Sequence, residues 1–496
     1  MKSTKTFFSA FISTLSLSVL TTQATLANSL VNTIVIPGDA TDLSGQPNGA
    51  NGNRLGGFFS DLYYDRSNNV YYGLSDRGPG GGTIAYDTRV QKFTLEVDLN
   101  TGAISNFNLL DTILFTQNGQ NFDGLNPRVL NGDSAVLGLS FDPEGFVVAP
   151  NGNFYVSDEY GPSVYEFDSS GSFLRAFMTP DNLIPKQGTT PNYVDGRGTI
   201  TTGRQDNRGF EGLAISPDGT KLLAMLQDPL VNEGTSGTSD DGRYSGNLRI
   251  VEFDIATGNS TAQYIYQLES LADINDRIPG TANDFPATSQ GRNIGISAII
   301  AINDHEFLVL ERDNRGLGVD APTVADVANN PVASKRIYKI DLTGATDVSN
   351  ISLTGTNSLG GIIPVNKSLF LDIQSQLQDA GQLVPEKIEG LAIGPQLIDG
   401  SYALIIGTDN DYSVTQNGSN VQFNVCTDFV DQSVNNVPIQ DFCPQGLDLI
   451  PTYLYSFKEN VPNFVPRETV PEPSAIFGLI SLGLGGVIVK KGRKSL

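Results

Sequence analysis

The chain has 496 residues, with 31 Lys and Arg against 54 Asp and Glu, and a formal net charge of −23. This charge argues against nucleic acid as a partner, because phosphate binding needs a basic face. His305 is the single histidine, which excludes a histidine-rich metal site and leaves one residue for any Ser-His-Asp triad. The 53 Gly and 26 Pro favour many short strands joined by turns.

The N-terminus has the pattern of a secretory signal peptide. Lys2 and Lys5 precede an apolar run at residues 7–20, and small residues follow up to Ala27. A positive start, a short apolar run and small residues are the three parts of such a signal. A membrane helix is the alternative, although the apolar run is short for one. We therefore predict that residues 1–27 are a signal peptide and that the protein is exported.

A repeated segment in the following residues predicts the fold. Residues 144–158, 211–228 and 389–409 each begin with Glu-Gly, continue as a short apolar strand, turn at polar residues, and return to an Asp. Two degenerate copies begin at Ser60 and Ser297. An apolar strand, a polar turn and a second apolar strand are typical of a β-hairpin.

A second strand pattern follows each copy, for example at residues 93–102 and 336–344. Two hairpins per repeat make a four-stranded blade, so the chain is predicted to be all-β, with a single β-propeller over residues 28–469 and long loop insertions. Five repeats are visible, and the length of this body leaves room for a sixth, degenerate one, so we expect six blades. Residues 34–36 are expected to close the ring by pairing with residues 453–455.

The repeat also predicts where the acidic residues meet. In each copy the Glu begins an inner strand and the Asp ends its antiparallel partner, and these two ends lie at the same edge of a sheet. Every blade therefore delivers carboxylates to one mouth of the central channel. The predicted metal ligands are Asp61, Asp76, Glu144, Asp158, Glu211, Asp228, Asp313, Glu389 and Asp409. For the Asp residues, the alternative is that they cap turns.

So many carboxylates repel one another unless cations neutralise them. Six to eight oxygen ligands suit Ca²⁺ better than Mg²⁺ or a nitrogen-seeking metal, so calcium is the predicted cofactor. Within this set, the candidate catalytic residues are Glu211, Asp158 and Glu144. Basic residues recur beside the acids, and the candidate contacts to an anionic substrate are Arg77, Arg208 and Arg312. The alternative for these arginines is that they pair with the neighbouring acids.

Three of these segments carry a family resemblance: F-D-P-E-G at residues 141–145, V-S-D-E-Y-G-P-S at 156–163 and S-D-R-G at 75–78. They resemble the phytase-like domain family, whose members are described as esterase-like proteins of the phytase family. The resemblance spans residues 55–457. It implies a propeller and the calcium-dependent hydrolysis of phosphate esters at the channel mouth.

His305 and the two cysteines are predicted to have structural roles and no part in catalysis. Aligning the fourth copy with the copy at Glu211 places His305 in the hairpin turn at the edge opposite to the acids, which argues against a triad hydrolase. Cys426 and Cys443 lie in one polar loop and are expected to form a disulfide in an oxidising compartment.

The C-terminus has a pattern of its own. Pro471, Glu472 and Pro473 precede an apolar stretch at residues 475–489 and a basic tail at residues 490–494. A short apolar span with a basic flank is typical of a stop-transfer helix. The order of these three parts, Pro-Glu-Pro, apolar stretch and basic tail, resembles the PEP-CTERM sorting signal of bacterial surface proteins. This resemblance implies processing by an exosortase-type peptidase. We expect residues 470–496 to anchor the exported protein at the cell surface before processing, with a plain anchor helix as the alternative.

Two classes of function fit these observations. The first is an exported, surface-anchored propeller that uses calcium to hydrolyse phosphate esters or a related anionic small molecule. The second is a non-catalytic, calcium-stabilised module that engages extracellular polysaccharide. A lactonase-like propeller with one catalytic metal is a further alternative among the hydrolases.

Overall fold

The computed structural model describes residues 29–429 and 432–467. The predicted signal peptide and C-terminal anchor therefore lie outside the described residues. Strands are numbered in chain order from β1 (Leu30–Ile36). Blade I consists of β2 (Asp61–Asp65), β3 (Val70–Leu74), β4 (Arg89–Val97) and β5 (Ile104–Leu114). After a hairpin of β6 (Thr116–Gln117) and β7 (Gln120–Asn121), blade II consists of β8 (Pro143–Val148), β9 (Phe154–Asp158), β10 (Ser163–Phe167) and β11 (Phe173–Ala176).

The remaining blades follow the same plan. A hairpin of β12 (Lys186–Gln187) and β13 (Thr190–Pro191) leads to blade III, which consists of β14 (Phe210–Ile215), β15 (Lys221–Leu226), β16 (Asn247–Asp254) and β17 (Ser260–Gln267). Blade IV consists of β18 (Ile294–Ala301), β19 (Glu306–Asp313), β20 (Lys335–Asp341) and β21 (Asn366–Asp372). Blade V joins β1 to β22 (Lys387–Gln396), β23 (Tyr402–Asp409) and β28 (Thr452–Glu459).

A smaller sheet is inserted in the chain between the last two strands of blade V. Its strands are β24 (Val414–Gln416), β25 (Gln422–Asp428), β26 (Ser433–Pro438) and β27 (Asp448–Leu449). Cys426 in β25 forms a disulfide with Cys443, as predicted from the sequence. The disulfide therefore fastens this insertion and lies outside the blade repeats.

Helices are short and lie in the loops. They are α1 (Pro127–Leu130), α2 (Leu271–Asn275), α3 (Val324–Asn329) and α4 (Ile373–Asp379), with 3-10 turns at Gly242–Tyr244, Ala287–Ser289 and Asp411–Ser413. In the part of the chain that the structure describes, no helix has the length and apolar character needed to cross a membrane.

The predicted β-propeller is confirmed, but the prediction of six blades is wrong. The inner strands β2, β8, β14, β18 and β22 contact one another in a closed cyclic order, so the described ring has five blades. Once these five strands enclose the channel, there is no gap for a sixth. The residues that the five blades do not use instead form the loop hairpins and the inserted sheet. Apolar side chains fill the spaces between adjacent blades, as between blades IV and V.

The predicted closure of the ring is confirmed. β1 pairs antiparallel with β28, with Ile34 opposite Leu454 and Val35 opposite Tyr453. Beyond β28, the chain crosses the end of the ring where the inner strands finish: the Val465 N–H donates to the Ile302 carbonyl at 2.8 Å, and Arg467 donates to the carbonyl of Val148. Both ends of the described chain are thereby held by the ring.

The repeated Glu-Gly pairs have a structural explanation. Antiparallel pairing shifts by one residue at Pro143/Gly145, Phe210/Gly212 and Ile388/Gly390, so each Glu lies on a β-bulge at the start of an inner strand. A bulge redirects a side chain, here into the channel. The glycine permits close packing between blades, because a Cβ on Gly145 would lie 2.7 Å from the backbone nitrogen of Leu213 in β14.

Gly145→Ala is therefore expected to destabilise the ring by about 1–3 kcal/mol, since the methyl group would push β8 away from β14. Denaturant unfolding measures this change. Gly361→Ala is the matched control, because a Cβ on Gly361 meets nothing within 4 Å. Equal free energies of unfolding for the two variants would contradict this account of the Glu-Gly pairs.

Candidate functional site

A cavity of about 250 Å³ lies at the end of the ring where the bulged Glu residues begin their strands. Its lining carries an unusual density of charge of both signs. The acidic residues are Asp76, Glu144, Glu159, Glu211, Asp228, Glu386, Glu389 and Asp411, and the basic residues are Arg77, Arg208, Arg292, Arg312 and Lys387. Five of the nine predicted acids and all three predicted arginines therefore line one cavity.

Three of these acids come from equivalent positions in blades II, III and V. Glu144, Glu211 and Glu389 are 8%, 2% and 2% exposed. Within the described residues, one carboxylate oxygen of Glu211 and one of Glu389 have no hydrogen-bond partner. Burial, followed by repulsion from neighbouring carboxylates, raises the pKa of Glu144 and of Glu211 well above the usual value. The bulges thus deliver carboxylates that the protein itself leaves incompletely paired.

One group of carboxylates lies at the cavity end of blade II, between blades I and III. Oxygens of Asp142, Glu144 and Glu159 all lie within 4.8 Å of one another, and all three residues are buried. Arg77 lies 3.2 Å from Asp142, and Arg208 lies 3.3 Å from Glu159. Burial raises the pKa of Glu159 to about 8 even though Arg208 opposes the change. This group has the oxygen donors of a divalent cation site.

A second group, formed by Asp76, Asp409 and Asp411, already holds a cation of the protein's own. Its oxygens also lie within 4.8 Å of one another. Lys387 Nζ is 2.7 Å from Asp409 and 2.7 Å from Asp411. Burial, with repulsion from Asp409, raises the pKa of Asp76 well above its usual value. A lysine ammonium thus stands where a metal ion would otherwise be attracted.

The three predicted anion-binding arginines all line the cavity and all form ion pairs. Arg77 pairs with Asp142, Arg208 Nε lies 2.8 Å from Asp228, and Arg312 pairs with Glu389. The structure thus shows the ion pairs that were the alternative for these arginines, and anion binding by them stays a prediction. These contacts hold the guanidinium groups in position at the cavity wall.

Four predicted metal ligands do not line the cavity. Asp409 pairs with Lys387 in the second group, and the other three accept backbone N–H groups. Asp61 accepts the backbone N–H groups of Leu62 and Phe146, at 2.8 and 2.7 Å. Asp158 accepts the N–H groups of Asp142, Tyr160 and Gly161, and Asp313 accepts those of Arg315, Ala333 and Ser334. Their oxygens hold loops and neighbouring blades, which is the turn-capping alternative.

His305 is exposed in the turn between β18 and β19, where its own backbone N–H donates to Asn303 Oδ1. This turn is at the end of the blade opposite to Gly295 and Arg312, which line the cavity. The predicted separation of the single histidine from the acids is confirmed.

Comparison with known proteins identifies the family of this chain. The family model for phytase-like proteins, described as esterase-like activity of phytase, matches residues 53–412. The chain belongs to the phytase-like family. This phytase-like protein is also 29% identical to an "uncharacterized secreted protein" of Arthroderma benhamiae, over 79% of this chain and 88% of that protein.

Solved structures similar to the phytase-like protein are remote. A luciferin-regenerating enzyme matches with 9% identity and a TM-score of 0.29, over 88% of this chain and 99% of that chain. The calcium-binding protein regucalcin of Agrobacterium tumefaciens matches with 10% identity and a TM-score of 0.29, over 88% and 97%. Likenesses this weak say nothing about function.

Several charged residues of this phytase-like site were absent from the predicted set. Asp142, Glu159 and Asp411 each lie two residues or fewer from a predicted acid. Asp142 and Asp411 join the predicted Glu144 and Asp409 in the two carboxylate groups, whereas Glu159 takes the place predicted for Asp158. In the sequence Asp158-Glu159, the first side chain bonds to the loop and the second faces the cavity. Arg292 precedes β18 in an irregular segment, and no repeat marks it.

Proposed function

We propose that this protein is an exported hydrolase of phosphate esters that uses a divalent cation. We infer that the cation is calcium, because the candidate ligand atoms are all oxygens. The observation that carries the proposal is the cavity itself, in which incompletely paired buried carboxylates and several arginines face the same space. The hydrolysis of a phosphate ester needs positively charged groups beside the phosphate oxygens and an acceptor for the proton of the attacking water.

The residues present fit a calcium ion. Asp142, Glu144 and Glu159 would hold it, because all three are buried and their oxygens lie within 4.8 Å of one another. All of the donors are oxygens, as calcium prefers. When bound, the cation would neutralise charge and lower the pKa of a water.

The protein's own groups would do the rest. Arg77, Arg208 and Arg312 lie at the wall and have N–H groups that can bind phosphate oxygens. Glu211 Oε2 is buried and has no hydrogen-bond partner among the described residues, so it is free to accept the proton of the water that attacks phosphorus. As the water oxygen binds phosphorus, the bond from phosphorus to the ester oxygen would break, and the proton accepted by Glu211 would pass to that oxygen, which leaves as an alcohol.

Export and anchoring belong to the same proposal. The relative from Arthroderma benhamiae is described as secreted, and residues 1–27 have the pattern of a signal peptide. The disulfide between Cys426 and Cys443 suits an oxidising compartment. Residues 28–469 would form the mature propeller, and residues 470–496 would attach it to the cell surface until an exosortase-type peptidase processes them.

The proposal is tested by measuring phosphate release from simple phosphomonoesters by the purified protein, first with calcium and then with a chelator. We expect turnover with calcium, a loss of at least tenfold on chelation, and recovery on adding calcium back. The absence of turnover at every calcium concentration would contradict the proposal. Hydrolysis of lactones alone would favour a lactonase-like enzyme, and calcium-dependent retention on extracellular polysaccharide without turnover would favour a binding module.

A further inference from the structure

We propose that Arg292 is the residue that captures the phosphate group of the substrate, an inference that rests on the proposed phosphate-ester function. Arg292 lies in the segment before β18 and lines the cavity. It was not singled out by the repeat, and its role follows from how the cavity's positive charges are paired.

The other four basic residues of the cavity are committed to carboxylates. Arg77 lies 3.2 Å from Asp142, and Arg208 lies 2.8 Å from Asp228. Lys387 is 2.7 Å from each of two aspartates, and Arg312 pairs with Glu389. These side chains can still touch a ligand, but part of their charge and several of their N–H groups are already in use.

Arg292 is paired much more weakly. Within the described residues its only carboxylate partner is Asp206, at 4.0 Å, and the Asp206 side chain is 44% exposed. The one side-chain hydrogen bond that it makes with a described residue runs from Nη1 to the backbone carbonyl of Asp206 at 3.0 Å. A guanidinium has five N–H groups, so most of those on Arg292 remain available. An exposed partner at this distance contributes little, because water screens the pair.

The electrostatic surroundings of Arg292 favour an anion. Its pKa is lowered, first by burial and next by repulsion from Arg208, although Asp228, Asp206 and Glu159 oppose the change. Asn293 and Asn314 line the cavity beside it and add uncharged amide groups. A phosphate placed here would relieve the repulsion between the two arginines and accept hydrogen bonds from both.

The geometry also suits capture of a ligand from solution. The Arg292 side chain is 31% exposed, so it is accessible while still forming part of the wall. The planar fork of a guanidinium matches two phosphate oxygens at once, which a lysine ammonium does not. Arg292 would therefore bind the phosphate at the entrance, and the deeper arginines would complete its coordination.

The test is isothermal titration of inorganic phosphate into the calcium-loaded protein, which requires no turnover. We expect Arg292→Gln to weaken phosphate binding by at least about tenfold and Arg292→Lys to weaken it less, because lysine keeps the charge without the fork. Arg128→Gln is the matched control, since Arg128 is exposed on α1, away from the cavity. Its affinity is expected to equal that of the wild type.

Equal phosphate affinity in the wild type and in folded Arg292→Gln, or no phosphate binding by the wild type, would overturn the inference. Melting temperatures of all variants show whether they are folded, and failure of Arg292→Gln to fold leaves Arg292→Lys as the deciding variant. Phosphate binding that depends on Arg292 in a protein without ester hydrolysis would overturn the proposed function and leave this inference standing.

Discussion

Glu211→Gln is expected to lower kcat for phosphate esters by a factor on the order of 10²–10⁴, the range for loss of a positioned proton acceptor. The amide has the shape of the carboxylate but does not accept the proton. Burial and repulsion raise the pKa of Glu211 well above its usual value, so the metal-free protein gains from the neutral replacement. We therefore expect an unchanged or higher melting temperature together with the loss of turnover.

Steady-state kinetics on the purified variant, followed by thermal unfolding of the same sample, measure both effects. Glu96→Gln is the control, because Glu96 is an exposed acid in β4 whose carboxylate binds Asn106 at the surface. Its turnover should equal that of the wild type. Wild-type turnover in Glu211→Gln would assign proton transfer to another group, whereas a large fall in melting temperature would show that Glu211 has a structural role.

The calcium-free protein is expected to lose stability as the pH rises from about 5 to 8. Burial raises the pKa of Asp61 and Glu159 to about 8, and that of Glu386 and Asp409 to about 7, with neighbouring charges contributing. In the unfolded chain these groups titrate near pH 4. The folded protein therefore binds more protons across this interval, and its free energy of unfolding falls as the pH rises.

Calcium should reverse part of this loss, because Glu159, one of these four carboxylates, is among the residues that would hold the ion. At a concentration of about 100 times Kd, a ligand that binds only the folded state adds roughly 2.7 kcal/mol. Melting temperatures measured from pH 5 to pH 8, with calcium and with a chelator, should diverge toward pH 8. Glu159→Gln is expected to reduce both the slope and the calcium effect. A melting temperature of the calcium-free protein that rises across this range would contradict the prediction.

Much of the architecture can be read from the chain because it depends on local repetition. The alternation of apolar strand, polar turn and Asp recurs in each blade, and the pairing of β1 with β28 follows from apolar residues at both ends. The number of blades does not follow, because it depends on the angle between neighbouring sheets. Gly145 and its counterparts show that the inner strands of neighbouring blades pack closely, and the repeat does not specify how many blades that packing closes into a ring.

The candidate site, like the fold, can be predicted from the sequence only in part. Glu144, Glu211 and Glu389 are recognisable in the sequence because a Glu-Gly pair begins each repeat, and the structure places each of them on a β-bulge. Asp158 and Glu159 are adjacent, and only the packing of blade II against its neighbours decides which of them faces the cavity.

Sequence repetition thus establishes which strands line the channel and which end of it is acidic, because strand direction and spacing are local properties. The pairing of charges is not local. Lys387 fills one group of carboxylates, and Arg292 reaches the cavity from an irregular segment without a close carboxylate of its own. Only the tertiary structure decides such matters, because a charge is compensated or left uncompensated by whatever the fold brings within a few ångströms of it.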